Sequence, residues 1–128
     1  ILPTPASGGI RVLEEAPAAV GLALPAGTEL VAVGETRGWL GQSLWLREVA
    51  GREEGAPPPV DLAAERAAGE FVRGRILAGG VAACHDCADG GLLVAVAEMA
   101  MAGGCGATLE TAPPGIPEHA YWFGEDQG

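Results

Sequence analysis

Residues 83–91, ACHDCADGG, and the apolar run that follows them, LLVAVAEMAM at 92–101, contain the clearest structural pattern in this sequence. An apolar lead-in, an acidic glycine turn and a second apolar run predict a strand, a loop and a buried helix. Asp86 and Asp89 at a strand end are costly unless something binds them, and carboxylates suit a hard cation such as Mg²⁺. The helix start itself favours anions. The stretch therefore predicts a magnesium-nucleotide or phosphate pocket.

The same turn also has a plainer interpretation. Asp89 could serve as the N-cap of the following helix and Asp86 as a turn residue. Gly90 and Gly91 allow the close approach of either a ligand or another piece of backbone. Ligand binding and helix capping can coexist, so the sequence leaves both interpretations open.

Composition excludes several classes of function. The chain has 128 residues, which predicts one domain, and its net charge of −10 at pH 7 argues against duplex DNA and anionic membranes as main partners. All seven basic residues are arginines, so a phosphate-binding lysine of the Walker type is absent. Three cysteines and no recognisable leader peptide indicate a reducing, cytoplasmic setting. No apolar run reaches the length of a membrane-spanning helix.

Apolar periodicity and turn residues predict the remaining elements. Strands are expected within residues 6–13, 29–34, 81–85 and 108–110. Helices are expected at residues 44–49, from the N-cap Asp61 to Leu77, at 91–101 and at 117–122. The order predicts an α+β or α/β sandwich with two sizeable helices on one small sheet.

The cysteines and one histidine admit more than one interpretation. Cys84 and Cys87 form a Cys-x-x-Cys pair that could be redox-active, could bind metal with Cys105 and His119, or could be buried structural thiols. A zinc site would need a second ligand pair of suitable spacing, and no second Cys-x-x-Cys is present. The structural interpretation is favoured, because Cys84 lies in a predicted strand and would behave there as a small hydrophobic residue. His85 could act as a general base or could simply be hydrogen-bonded at a strand end.

A second candidate phosphate contact lies earlier in the chain. In the stretch LGQS, residues 40–43, the Ser43 hydroxyl and the neighbouring backbone amides could bind phosphate. The start of an ordinary helix explains Ser43 equally well.

The run HDCADGGL, residues 85–92, resembles the HDVSDGGL signature of the C-terminal domain of the aminoimidazole ribonucleotide synthetase-like superfamily. Further matching blocks are ILPTP at 1–5, VGET at 33–36, LGQSLWLRE at 40–48, PPPVDL at 57–62, AEMA at 97–100 and FGEDQG at 123–128. The resemblance implies an α+β fold in which a small mixed or antiparallel sheet packs against helices and lacks its last strands. It also implies that residues 1–128 form a single C-terminal-type domain, a fragment of a larger multidomain enzyme.

Within the superfamily, the combination of blocks is similar to the ATP-dependent ligases that convert formylglycinamide ribonucleotide into its amidine in purine biosynthesis. This similarity implies ATP or ADP and Mg²⁺ as cofactors, ammonia derived from glutamine, and a glutaminase subunit and a small accessory subunit as partners. It also implies that the isolated domain is inactive and contributes no catalytic residue. The implied nucleotide-binding residues are Asp86, Asp89, Gly90, Gly91, Gly41 and Ser43, with Asp86 as the metal ligand.

Two departures from the signature bear on this expectation. Cys87 replaces the usual valine or isoleucine, and Ala88 replaces a serine whose hydroxyl could touch phosphate. One alternative is therefore a non-catalytic structural module in which the aspartates cap a helix. Another is a different superfamily member, such as thiamine-monophosphate kinase or selenophosphate synthetase, although the blocks at 57–62 and 123–128 argue against it.

Overall fold

The computed structural model describes residues 19–126, and four helices form within them. They are α1 (Leu44–Glu48), α2 (Leu62–Leu77), α3 (Gly91–Gly103) and α4 (Glu118–Phe123). All four helices predicted from the sequence are confirmed, and each observed end lies within two residues of the predicted one. No helix among the described residues has the length and hydropathy needed to cross a membrane.

The predicted sheet is not present in the described part of the chain. Between residues 19 and 126 the chain forms no strand, so the α+β prediction is wrong for this part of the molecule. The segments 81–85 and 108–110 are irregular, and the strand predicted within 6–13 lies outside the described residues. Segment 29–34 makes no backbone hydrogen bond to another described residue, and Val31 is 76% exposed. An apolar run favours extended backbone, but a strand also needs a neighbouring strand to pair with, and residues 19–126 provide none.

The core lies along one face of α3. Its buried residues are Gly91, Ala95, Val96, Met99 and Ala100. α3 packs against α4, and the core is completed by residues from three other parts of the chain: Leu24, Leu46 and Ala120. The expectation that this helix lies in the core is confirmed for that face, whereas Met101 on the helix is 73% exposed.

In contrast to α3, helix α2 contributes nothing buried to the core. Its N-cap is Asp61, as predicted, and the carboxylate accepts hydrogen bonds from the backbone N–H groups of Ala63 and Ala64. None of its residues is buried, and Phe71 is 57% exposed. Its end is also the predicted one, because Gly79 adopts a positive φ of 69° just after the last turn.

Candidate functional site

The irregular segment 81–89 and α3 enclose a shallow acidic cleft of about 150 Å³. Its lining residues are His85, Asp86, Ala88, Asp89, Ala95 and Glu98. The cleft brings together Asp86 and Asp89, the two aspartates of the turn, and His85, which precedes them. It also adds Glu98, which the sequence analysis did not single out.

His85 connects two of the carboxylates in the cleft. Its Nε2 lies 2.7 Å from Glu98 Oε2, and its Nδ1 lies 3.1 Å from Asp86 Oδ1. The hydrogen bond with Glu98, followed by that with Asp86, raises the pKa of His85 above its ordinary value, although partial burial opposes the shift. Of the two interpretations offered for His85, this geometry favours the hydrogen-bonded one.

The raised pKa of His85 predicts a pH dependence of stability. A folded-state pKa above the unfolded value of 6.5 means that the protonated ring stabilises the fold fully below that pH. The contribution is then lost as the pH rises through the folded-state pKa. Because Glu98 is half-exposed and Asp86 is exposed, we expect an effect of under about 1 kcal/mol. Urea unfolding of the chain on both sides of neutrality measures it, and His85→Gln should remove it; an identical pH slope in that variant would contradict the prediction.

The start of α3 is capped from a distance by Glu125. Its Oε1 accepts hydrogen bonds from Gly90 N at 2.9 Å and from Leu44 N at 2.7 Å. One carboxylate oxygen therefore serves the N-termini of both α3 and α1, where a negative charge is favourable. The capping role proposed for Asp89 is wrong, because the N-cap residue of α3 is Gly90 and no side chain of the cap residue bonds the helix.

Asp126 makes a second anchor beside Glu125. Its carboxylate accepts hydrogen bonds from Arg37 N at 3.1 Å and from Gly38 N at 2.9 Å. The Glu125 N–H also donates to Trp39 O at 2.9 Å. We call residues 124–126 the acidic clasp, since they join loop 37–39 to the starts of two helices.

The acidic clasp also contacts backbone close to the implied nucleotide-binding residues. The Glu125 carboxylate accepts hydrogen bonds from Gly90 N and from Leu44 N, the residue after Ser43. Ser43 is buried, and its hydroxyl accepts a hydrogen bond from Leu46 N as the N-cap of α1. Gly91 N donates to Ala88 O at 3.1 Å. Binding of nucleotide by Gly41, Ser43, Gly90 and Gly91 stays a prediction.

The glycines fit close backbone packing. A Cβ on Gly91 would lie 2.5 Å from Gly124 O, so the acidic clasp passes directly over the start of α3. A Cβ on Gly41 would meet Ala56 O in the same way. Of the two approaches that the glycines allow, backbone approach is the one observed.

The burial of the three cysteine thiols is consistent with a structural role. Cys84, Cys87 and Cys105 are all free and all half-buried. Burial raises the pKa of the Cys87 thiol, and the nearby Asp86 carboxylate acts in the same direction. A raised thiol pKa disfavours the reactive thiolate.

We therefore expect Cys87→Ser to leave the activity of the full-length protein nearly unchanged. Steady-state rates of wild type and variant provide the measurement, and Cys105→Ser is the matched control. A large loss of rate in Cys87→Ser, with an unchanged melting temperature, would revive the redox interpretation.

The cleft suits Mg²⁺ only when the ion is shared with another oxygen donor. No group of three His, Cys, Asp or Glu side chains within residues 19–126 is arranged to hold a metal ion. Mg²⁺ commonly binds one or two carboxylates and completes its shell with water and substrate phosphates. The exposed carboxylates of Asp86 and Asp89 fit that mode, whereas a site built from protein ligands alone does not fit.

Comparison with known proteins identifies the chain's relatives. The family described as AIR synthase related protein, C-terminal domain, matches residues 25–128. The chain is similar to proteins named phosphoribosylformylglycinamidine synthase subunit PurL: it is 65% identical to that of Gluconobacter oxydans over 128 residues and 61% identical to that of Acidiphilium cryptum over 127 residues. These alignments cover 100% and 99% of the chain but only 17% and 18% of the two relatives. No solved structure matches the chain.

Proposed function

We propose, since this chain belongs to the family of AIR synthase related proteins, C-terminal domain, that it serves as one domain of an ATP-dependent ligase that forms an amidine. One observation carries the proposal: the chain aligns along its whole length, at 65% identity, with a protein named phosphoribosylformylglycinamidine synthase subunit PurL. Both HDCADGGL, residues 85–92, and FGEDQG, residues 123–128, support the same assignment.

In the proposed reaction, the amide oxygen of formylglycinamide ribonucleotide attacks the γ-phosphorus of ATP, and ADP leaves. Ammonia derived from glutamine then adds to the activated carbon, and phosphate leaves with the former amide oxygen. The products are the amidine, ADP and phosphate. The partners in this scheme are the other domains of the same protein, a glutaminase subunit and a small accessory subunit, all in the cytoplasm.

The contribution of this chain would be to hold a nucleotide rather than to perform chemistry. Asp86 and Asp89 line the acidic cleft, and both carboxylates are exposed. Mg²⁺ would neutralise the negative charge of the nucleotide phosphates there. The aspartates would anchor the ion, and α3 would hold them in place through the segment that precedes it.

The overall activity is tested with the full-length protein that contains this chain. We expect formation of ADP and amidine from formylglycinamide ribonucleotide, ATP and an ammonium salt. Thiamine monophosphate is the control substrate, because it tests the alternative superfamily member. Phosphorylation of thiamine monophosphate without amidine formation would overturn the proposal.

The nucleotide role predicts the effect of removing one carboxylate. Asp86→Ala in the full-length protein should weaken retention of magnesium nucleotide, with little change in the rate of the chemical step. The nucleotide content of the purified protein measures the effect, and Glu110→Ala, at an exposed position that does not line the cleft, is the control. Equal nucleotide content in wild type and Asp86→Ala would contradict the role of Asp86.

A second candidate is a purely structural module of the same ligase. The specific observation in its favour is that Glu125 already binds the amides of Gly90 and Leu44. Calorimetric titration of the full-length protein with ADP and Mg²⁺, repeated with Asp86→Ala, separates the two candidates. Weaker ADP binding in Asp86→Ala than in wild type supports the nucleotide role, and equal binding in the two proteins supports the structural module.

A further inference from the structure

We infer that Glu98 is a positioning residue for the acidic cleft: it holds the ring of His85, and the ring fixes one oxygen of Asp86. The inference rests on the proposed function, in which Asp86 contacts a magnesium nucleotide. Neither the turn sequence nor the resemblance assigns a role to Glu98.

Glu98 lies on α3, which buries more residues than any other helix between residues 19 and 126. It is the only charged residue of α3, and the helix buries Ala95 and Met99 on either side of it. A charged side chain on an otherwise apolar helix is unusual unless it has a partner or faces solvent. Glu98 does both, because its side chain is half-exposed and its Oε2 lies 2.7 Å from His85 Nε2.

The His85 ring links Glu98 to Asp86. Its side chain is only 18% exposed, and each ring nitrogen faces one carboxylate. Because the two nitrogens point to opposite sides of the ring, a rotation that improves one contact weakens the other. A ring held by Glu98 therefore presents Nδ1 in a fixed direction.

The one described side-chain hydrogen bond of Asp86 is the contact with this ring. The bond uses Oδ1, at 3.1 Å, and no described hydrogen bond engages Oδ2. The Asp86 side chain is exposed, so without the ring it would sample several rotamers. With Oδ1 held, Oδ2 remains available to a cation in the cleft, and the cost of ordering the carboxylate is met before binding.

Some residues do not touch a metal ion but hydrogen-bond to a group that does. Their removal typically weakens metal binding about 10-fold to 100-fold. The test is calorimetric titration of the full-length protein, freed of nucleotide, with ADP in the presence of Mg²⁺. We expect Glu98→Ala to raise Kd about tenfold. Glu98→Gln should restore most of the affinity, because its amide oxygen can still accept a hydrogen bond from the ring.

A double variant distinguishes positioning from a general structural effect. If Glu98 acts through Asp86, then Asp86→Ala with Glu98→Ala should bind no more weakly than Asp86→Ala alone. The matched control is Glu118→Ala, which removes a comparable bond from Glu118 Oε2 to Trp122 Nε1, at 2.8 Å, outside the cleft. This control should leave Kd unchanged. His85→Gln is the second variant if Glu98→Ala fails to fold, and a tenfold rise in its Kd is expected for the same reason.

Three results would count against the inference. Wild-type affinity in Glu98→Ala, together with weakened binding in Asp86→Ala, would overturn the positioning role and leave the proposed function standing. Losses that multiply in the double variant would show that Glu98 acts independently of Asp86. Wild-type affinity in Asp86→Ala would overturn the proposed nucleotide role itself and, with it, the positioning role.

Discussion

Glu125→Ala is expected to destabilise the chain by about 3 kcal/mol, because it removes two charge-assisted hydrogen bonds at once. The Glu125 carboxylate accepts from Gly90 N and Leu44 N, and Gly90 is buried. Without the carboxylate, water cannot readily reach the Gly90 amide to replace the bond. The starts of α1 and α3 would also lose the negative charge that favours a helix N-terminus.

Urea unfolding of the 128-residue chain, followed by circular dichroism, measures the loss of stability. Glu125→Gln keeps an oxygen acceptor without the charge, so it should lose about half as much. Glu48→Ala is the matched control, because it breaks only an exposed pair with Arg47 and should cost less than about 1 kcal/mol. Equal midpoints and slopes for Glu125→Ala and Glu48→Ala would refute the role of the acidic clasp.

Gly91→Ala should reduce the stability of the chain by a similar amount, because Gly91 lies where the acidic clasp crosses the start of α3. Gly91 has a φ of 72°, which costs an L-residue other than glycine about 1–2 kcal/mol. The added Cβ would also lie 2.5 Å from Gly124 O, and the nearby atoms belong to the backbone, which cannot swing aside as a side chain can. We therefore expect a total loss of about 3 kcal/mol or more.

Gly69→Ala provides the control for Gly91→Ala. Gly69 lies inside α2, and a Cβ there would meet no atom within 4 Å. Replacing a helical glycine with alanine at an open position is expected to stabilise by about 1 kcal/mol. Opposite signs for the two substitutions would confirm the prediction, whereas a Gly91→Ala variant as stable as wild type would show that the acidic clasp does not cross α3 so closely.

The features that the sequence predicted correctly, namely the helix caps and the extent of α3, arise from residues close to one another in the chain. Asp61 and Ser43 cap helices that begin at the next residue, and apolar periodicity marks the extent of α3. His85 was expected to be hydrogen-bonded, and one of its two partners, Asp86, is the next residue in the chain. Caps and apolar periodicity act between residues that are close in sequence, so they can be predicted without the tertiary structure.

What the sequence did not predict depends on distant residues. Glu125 contacts Leu44 across 81 positions, and no local pattern identifies that partner. The run FGEDQG, residues 123–128, resembles a block of the family, but that resemblance gives no role to the Glu125 carboxylate. The strand predicted at residues 29–34 also depends on distant residues. Its composition favours a strand, but composition does not show whether another strand lies beside it. A signal for Glu98 did exist, since a lone charge interrupts an apolar helix.

The acidic clasp also bears on the order in which the protein acquires its structure. A chain is synthesised from its N-terminus, so α1 and α3 emerge before Glu125 and Asp126 are available to them. The contacts that close the two helix starts join residues far apart in sequence, and such contacts form late and slow the folding of small domains. A nascent chain that stops short of residue 125 would therefore carry two helices whose starts are still open, and the synthesis of Glu125 and Asp126 would set the earliest moment at which this region becomes native.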